Sequence, residues 1–554
     1  MKVIKKAIAL LFLVVAVPLY VIASPEHVPA PAAQAALERA KALDTQKQPA
    51  EALAAFFQAI EADPEFLAAH ERLVKFRSEQ HVAAYKHKDL KPQFDAMDKT
   101  IDAKYQEWER RFPNSFGIPY GRGALLQDKE DPKAKTYLLE AARRDPNNAK
   151  VYSMLRQDAE FWGDKKAAAE YGRKASILEP TNAGYAYQCV PYLEPSKQEA
   201  AYLDIVKRFP DDEYAGFALL TLAMDAPNDT KRIAYYEQLR AHFPPEKFGI
   251  SLFGGMPRLF AAYLRVDPQK AVKLAQDMPQ EMKGVKSVVF DNQTMPIEAE
   301  SKQWDARLTL AQAYIEINQK MTADKPGEAL GLLDKLNIKE HFEVENAAML
   351  VGLKTRVLAA VGQAQEAYSA LLQRQAKWPQ DETQTHLQSV GAQMHKTPAQ
   401  IHADLKAVLE SAAKPAPPFA LQRYTSNETV SLAKLRGKVV LVTFWFPGCG
   451  PCRAEMPHFE TVLGQLQNKD IVYLGINGDR DQDAYVSSFM EKTRYSFIPL
   501  KGTKAVTGSK GYKVRSYPSN FLIDRTGRIV YSNFEIHDAA DEQTLQRMIE
   551  SLIS

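Results

Sequence analysis

The sequence predicts a multidomain chain: an all-α helical-repeat solenoid over residues 32–395, then a smaller α/β domain over residues 419–554. Three observations carry this. X-Pro pairs close amphipathic segments at intervals of 33, 34, 30 and 34 residues from Pro113 onward. A proline-rich stretch, Lys414-Pro415-Ala416-Pro417-Pro418, ends the helical texture. Beyond it, a nearly continuous apolar run at 438–445 leads into Cys449-Gly450-Pro451-Cys452. The length of 554 residues, at about 150 per domain, fits several folding units. Lys and Arg number 71 against 68 Asp and Glu, a formal charge of +3, which gives no electrostatic case for nucleic acid. Apolar residues at 45% and charged ones at 25% exclude wholesale disorder and a polytopic membrane protein.

Lys2, Lys5 and Lys6 precede an apolar run over residues 7–23, the pattern of an export signal. Cleavage after Ala23 and retention as an N-terminal anchor are both compatible with its length. Membrane contact is expected only if residues 7–23 are retained. No cysteine near the end of the run would take a lipid. Either way the chain is expected outside the cytoplasm, in an oxidising, periplasm-like compartment.

From residue 32 to 395, Ala, Leu, Glu, Lys and Gln recur with apolar spacings of three and four, as in successive amphipathic helices. Asp63-Pro64, Phe112-Pro113, Asp145-Pro146, Glu179-Pro180, Phe209-Pro210 and Phe243-Pro244 each predict a helix end, because proline cannot continue a helix and disfavours the helical region for its predecessor. The period resembles that of tetratricopeptide repeats, with Pro49–Pro64 and Gly362–Tyr368 reading as turn plus second helix. Such repeats bury a continuous core and can hold a protein or peptide partner in a groove. Residues 245–300 break the pattern, and Asn292–Pro296 reads as an irregular loop. Cys189, with no cysteine nearby, reads as a buried apolar filler. Residues 396–418 are expected to form a linker with a stiff, extended, proline-rich end.

After the linker, the run at 438–445 predicts a central strand covered on both faces. A helix is expected from about 449 to 466, a buried strand at 471–477, a helix at 481–491 and a strand at 520–524. The turn Arg525-Thr526-Gly527-Arg528 leads to a hairpin partner at 529–531, and a last helix covers 541–553. Cysteines three apart on a first helical turn can come within disulfide range. The helix start offers unpaired N–H groups and the positive end of the dipole, which stabilise a thiolate on the first cysteine more than on the second. Cys449 is therefore the predicted nucleophile, and Cys452 resolves the mixed disulfide that Cys449 forms. Pro451 has no N–H to lose and presets the helical φ.

These stretches resemble the thioredoxin superfamily, and more narrowly the exported TlpA/ResA-like thiol-disulfide oxidoreductases. The likeness rests on 435–442, Phe444-Trp445, Cys449–Cys452, Arg453-Ala454-Glu455-Met456-Pro457 and Tyr517-Pro518-Ser519-Asn520-Phe521-Leu522-Ile523-Asp524, about a quarter of the chain. It implies that Pro518 is a cis-proline facing the cysteine pair, with Gly450, Pro451 and the Tyr517 backbone contacting substrate. It also implies a proton-transfer role for Glu455 at Cys452, set against an ordinary helix-surface Glu. Two positions depart from the family. Gly448 replaces the usual Trp, which suggests a more open surface at Cys449, and Thr443 stands where a buried Asp or Asn is usual. Trp445 is expected to pack.

Other readings of the cysteines fit less well. Arg453 stands where c-type haem attachment needs His. Zinc lacks further ligands, His458 being a single solvated-looking candidate. Phe446 stands where a peroxiredoxin usually has Thr or Ser. A structural disulfide remains a reading. The functional expectation is an enzyme that exchanges or reduces protein disulfides with no metal or organic cofactor. Its repeats recruit a partner, and a transmembrane thiol carrier is the implied electron donor. The Gly-Pro pair resembles that of reducing thioredoxins. The alternative is a repeat scaffold or assembly factor in which thiol activity is secondary.

Overall fold

The computed structural model describes residues 27–290, 293–336, 344–467 and 470–553. The leader at 1–23 lies outside the described residues, and among those described no helix is long and apolar enough to cross a membrane. The chain forms two compact units. One reaches to Phe161 and adds Lys165–Cys189; the other comprises Trp162–Asp164 and Val190–Ser554.

In the first unit, helices run from Pro31–Thr45 and Pro49–Ala62 to Lys165–Leu178 and Ala183–Cys189, each packed on its chain neighbour. Alanines at 52, 55 and 59 let the second helix approach closely, and Phe56, Phe76, Tyr105 and Trp108 fill the space between helices. The proline rule accounts for the ends. The helices Pro49–Ala62, Lys91–Arg111, Ala134–Arg144, Lys165–Leu178, Pro195–Arg208 and Asp229–His242 all stop one residue before an X-Pro pair. Asp63, Phe112, Asp145, Phe209 and Phe243 take ψ of 93°, 61°, 85°, 55° and 73°, the extended or bridging backbone that a following proline imposes. Cys189 is half-buried rather than a core filler, and burial pushes its thiol pKa up.

The second unit continues with packed helices from Pro195–Arg208 to Pro398–Ala412. Of the irregular span expected near 292–296, Asn292 lies outside the described residues and the rest is instead a strand. Gln293–Pro296 pairs antiparallel with Ser287–Phe290, with Val288 opposite Met295, so the β-branched run Val288-Val289 supplies a partner strand. The expected linker at 396–418 also differs. It carries the helix Pro398–Ala412, started by a Thr397–Gln400 capping box, and then Lys414–Pro415 joins a sheet edge opposite Ile529 and Arg528. Proline's fixed φ and missing donor are tolerated on an edge strand as well as in a spacer. Two polar contacts tie this helical region to the C-terminal α/β domain: Arg547 pairs with Asp381 at 2.6 Å, and Arg528 Nη1 donates to the Glu410 carbonyl at 3.3 Å.

The C-terminal sheet has six strands in the order Lys414–Pro415, Arg528–Ser532, Ser519–Ile523, Val439–Trp445, Ile471–Asn477, Ile498–Lys501. All seven residues of the Val439–Trp445 strand are buried. This strand pairs in parallel with Ile471–Asn477 along its whole length and antiparallel with Ser519–Ile523. Val440, Val442 and Phe444 join a core with Leu474, Ile476, Leu500, Phe521 and Ile523. Alternation turns Val439, Leu441, Thr443 and Trp445 to the other face. There Trp445 packs at 5.0 Å from both Phe489 and Phe497, the packing role expected of it. The helices Gly450–Leu466 and Ala539–Ile553 pack on each other, and the latter also contacts the central strand.

Gly475 lies in the strand beside this one, where an added Cβ would sit 2.4 Å from Phe497 and 2.8 Å from Trp445 Nε1. Gly475→Ala is expected to destabilise the domain by about 1–3 kcal/mol through overpacking. Gly464→Ala, on the helix with open space around it, is expected to stabilise by about 0.5–1 kcal/mol. Urea midpoints of the two variants check both signs.

Candidate active site

The central strand ends at Trp445, and four residues later Cys449 caps the helix Gly450–Leu466. Its N–H donates to the Phe446 carbonyl at 3.0 Å, which closes the turn. Cys449 and Cys452 form a disulfide with their Cα atoms 5.3 Å apart. Cys449 Sγ also accepts the Cys452 N–H at 3.2 Å, so the sulfur occupies the position of an ordinary N-cap oxygen. Cys452 is fully buried and Cys449 is 3% exposed, while Gly450 between them is exposed.

Gly448, where the resemblance leads one to expect Trp, is half-buried. Its N–H donates to Gln482 Oε1 at 2.8 Å, which ties the cysteine loop to the chain after the neighbouring strand. Gln482 was not foreseen from the sequence. The Tyr517–Pro518 peptide is cis, as expected, and leads directly into the strand Ser519–Ile523. Because Ser519 is opposite Phe444, Pro518 lies at the sheet end from which the cysteine loop departs. Tyr517 packs edge-on against Phe446 at 5.3 Å. Gly478 leaves room for that ring, since a Cβ there would fall 2.1 Å from the Tyr517 hydroxyl oxygen.

Glu455 is not a surface residue; it is 1% exposed, on the helix face that covers the sheet. Its Oε2 accepts from Asn520 Nδ2 and its Oε1 from the Ile536 N–H, both at 2.9 Å. Burial raises the proton affinity of this carboxyl above the usual range, although Asn520, the Ile536 N–H and His537 each act against it. Each hydrogen bond to a charged group stabilises by about 1.5–3 kcal/mol, and burial outweighs them here. Asn520 entered the sequence reading only as part of a motif, yet it faces Thr443 directly across the strand pair. An Asn within a strand of Phe521, Leu522 and Ile523 was the available signal, because strand interiors disfavour Asn. His458 also differs from expectation: half-buried, its Nδ1 lies 2.6 Å from Glu542. Among the described residues, no group of three or more His, Cys, Asp or Glu is arranged to hold a metal.

The raised pKa of Glu455 has a definite sign in stability. Its contribution is complete below the ordinary value of 4.5 and is lost as pH rises through the higher folded value. The stability of the native chain minus that of Glu455→Gln should therefore decline as pH increases above 4.5, in urea titrations at a series of pH values. A difference that is flat or rises would contradict this.

The Redoxin family model matches residues 411–549. The thiol-disulfide oxidoreductase ResA of Halalkalibacterium halodurans is 29% identical over 125 residues, covering 22% of this chain and 68% of that protein. The thioredoxin-like protein YneN of Bacillus subtilis is 32% identical over 115 residues, covering 21% of this chain and 66% of that protein. A crystal structure of a thiol:disulfide interchange protein of the thioredoxin family from Chlorobium tepidum TLS is 22% identical, covers 26% of this chain and 97% of that one, and has a TM-score of 0.22. The C-terminal quarter of this chain is a Redoxin domain with ResA-like thiol-disulfide oxidoreductase relatives, and it follows a long, mostly helical region.

Proposed function

We propose that the chain is an exported thiol-disulfide oxidoreductase that exchanges or reduces protein disulfides through Cys449 and Cys452. The observation that carries this reading is the paired cysteines on one helical turn, with Cys449 Sγ accepting a helix-start N–H. In the reduced enzyme, that N–H and the helix dipole stabilise a Cys449 thiolate. The thiolate attacks one sulfur of a substrate disulfide, forms a mixed disulfide and releases the other sulfur as a thiolate. Cys452 then attacks Cys449 Sγ, which frees the second substrate sulfur and leaves the Cys449–Cys452 disulfide; the substrate gains two electrons and the dithiol loses them. Glu455, one helical turn from Cys452, takes the Cys452 proton. Tyr517 presents backbone groups to an extended substrate strand beside cis-Pro518, and Gly450 and Pro451 line the approach.

Residues 7–23 support export, and the disulfide suits an oxidising compartment. A reductase there needs electrons carried across the membrane, which a transmembrane thiol carrier would supply. The helices between 32 and 395 recruit the protein partner, and residues 419–554 carry the chemistry.

Cys449→Ser is expected to abolish reduction of insulin disulfides, a loss of several orders of magnitude in rate. Cys452→Ser is expected to accumulate substrate proteins as mixed disulfides on Cys449, visible on non-reducing gels of an extracytoplasmic extract. Full biological complementation by Cys449→Ser would instead favour the helical scaffold as the working part.

A further inference from the structure

Asn520 belongs to the sheet, Glu455 to the helix that carries both cysteines, and the bond between them is buried. The direction of that bond is fixed. Asn520 Nδ2 also donates to the Phe534 carbonyl at 2.8 Å, and a carbonyl can only accept. Turning the amide over would set two oxygens against each other, so the side chain can only donate to Glu455. The Ile536 N–H on the other carboxyl oxygen is likewise an obligate donor. Both oxygens therefore meet groups that prefer the ionised carboxylate, in a place where burial prefers the protonated acid.

A second observation separates this from simple packing. Asn520 Oδ1 is buried and accepts no hydrogen bond among the described residues. Thr443 lies directly opposite in the strand pair. A buried amide with an unmatched oxygen is a poor choice for packing alone, since an apolar residue of the same shape would cost less there. Its two donated bonds are what it contributes.

We infer that Asn520 is a positioning residue that holds the Glu455 carboxylate and lowers its proton affinity, so that Glu455 can accept the Cys452 proton during resolution. The inference rests on the exchange reaction proposed above. In the step concerned, the Cys452 S–H proton passes to Glu455, the Cys452–Cys449 bond forms, the mixed disulfide at Cys449 breaks, and its outer sulfur leaves as a thiolate. Other charges face the same carboxyl. Glu535 and His537 approach from the segment that supplies Ile536, and the Tyr473 phenol lies on the neighbouring strand. From the C-terminal helix, Asp541 accepts the His537 N–H and Glu542 pairs with His458.

The test uses the reduced full-length chain, with Cys189→Ser so that Cys189 cannot react, mixed with dithiobis-nitrobenzoate. Cys449 attack releases one coloured thiolate; Cys452 attack on the resulting mixed disulfide releases the second in a first-order phase. Its rate should rise with pH along a limb set by Glu455. In Asn520→Leu that limb should move up by about one pH unit, so that the second phase is roughly tenfold slower on its acid side. Asn520→Ser, too short to reach Glu455 but small and polar, should reproduce the shift. Glu455→Gln should lack the limb, and adding Asn520→Leu to it should change nothing further. A constant slowing at every pH with the limb unmoved would reduce Asn520 to a structural role and overturn the inference. So would equal slowing by Asn520→Leu with and without Glu455. Absence of the second phase in the native sequence would overturn the exchange reading as well, whereas failure of the inference alone leaves that phase intact.

Discussion

The structure of the C-terminal domain depends on one constraint: a fully buried strand must deliver a sulfur to the amino end of a helix. Val439–Trp445 has neighbours on both edges and covered faces on both sides, so its end point is fixed by packing rather than by the loop after it. Trp445, wedged among Phe489 and Phe497, marks that end point. Only three residues separate it from Cys449, and the Cys449 N–H to Phe446 carbonyl bond leaves the turn little freedom. The sulfur therefore arrives where the first helical N–H groups need an acceptor. What suits Cys449 to nucleophilic attack is the same accounting of orphan donors that selects Ser or Asp at ordinary helix starts.

Legibility in the sequence followed burial. Strands covered on both faces read as unbroken apolar runs, so 471–477 is found at its expected bounds and 438–445 within one residue. Proline marks the helix ends of the helical region because its effect on the preceding residue is local and steric. Pairing that depends on a distant partner was not legible. Ile498–Lys501 contains Pro499, which argues against a strand unless it lies at an edge, and that is where it lies. Lys414–Pro415 looked like a spacer because extended and polyproline backbones share one region of φ and ψ, and only the presence of Arg528 and Ile529 makes it a strand.

The site was legible in the same uneven way. The cysteines and Pro518 are marked by residue type and spacing. Glu455 was legible as a neighbour of Cys452 but not as buried, because helical spacing gives proximity along the helix and says nothing about which face meets the sheet. Asn520 required the register: only the alignment of Ser519–Ile523 with the central strand puts it beside Thr443 and beneath Glu455. The polar position that Thr443 leaves without an amide or acid is filled from the adjacent strand.

The two cysteines differ in chemistry because one helical turn carries them into opposite electrostatic settings. Cys449 sits at the positive end, where the Cys452 N–H donates to its sulfur. Cys452 is fully buried, one helical turn from a carboxyl whose own ionisation is contested between burial and two fixed donors. The first environment stabilises a thiolate, and the second makes deprotonation depend on a nearby base. In the proposed exchange, the order of events, attack by the outer sulfur and resolution by the inner one, follows from depth along a helix rather than from any difference between the residues.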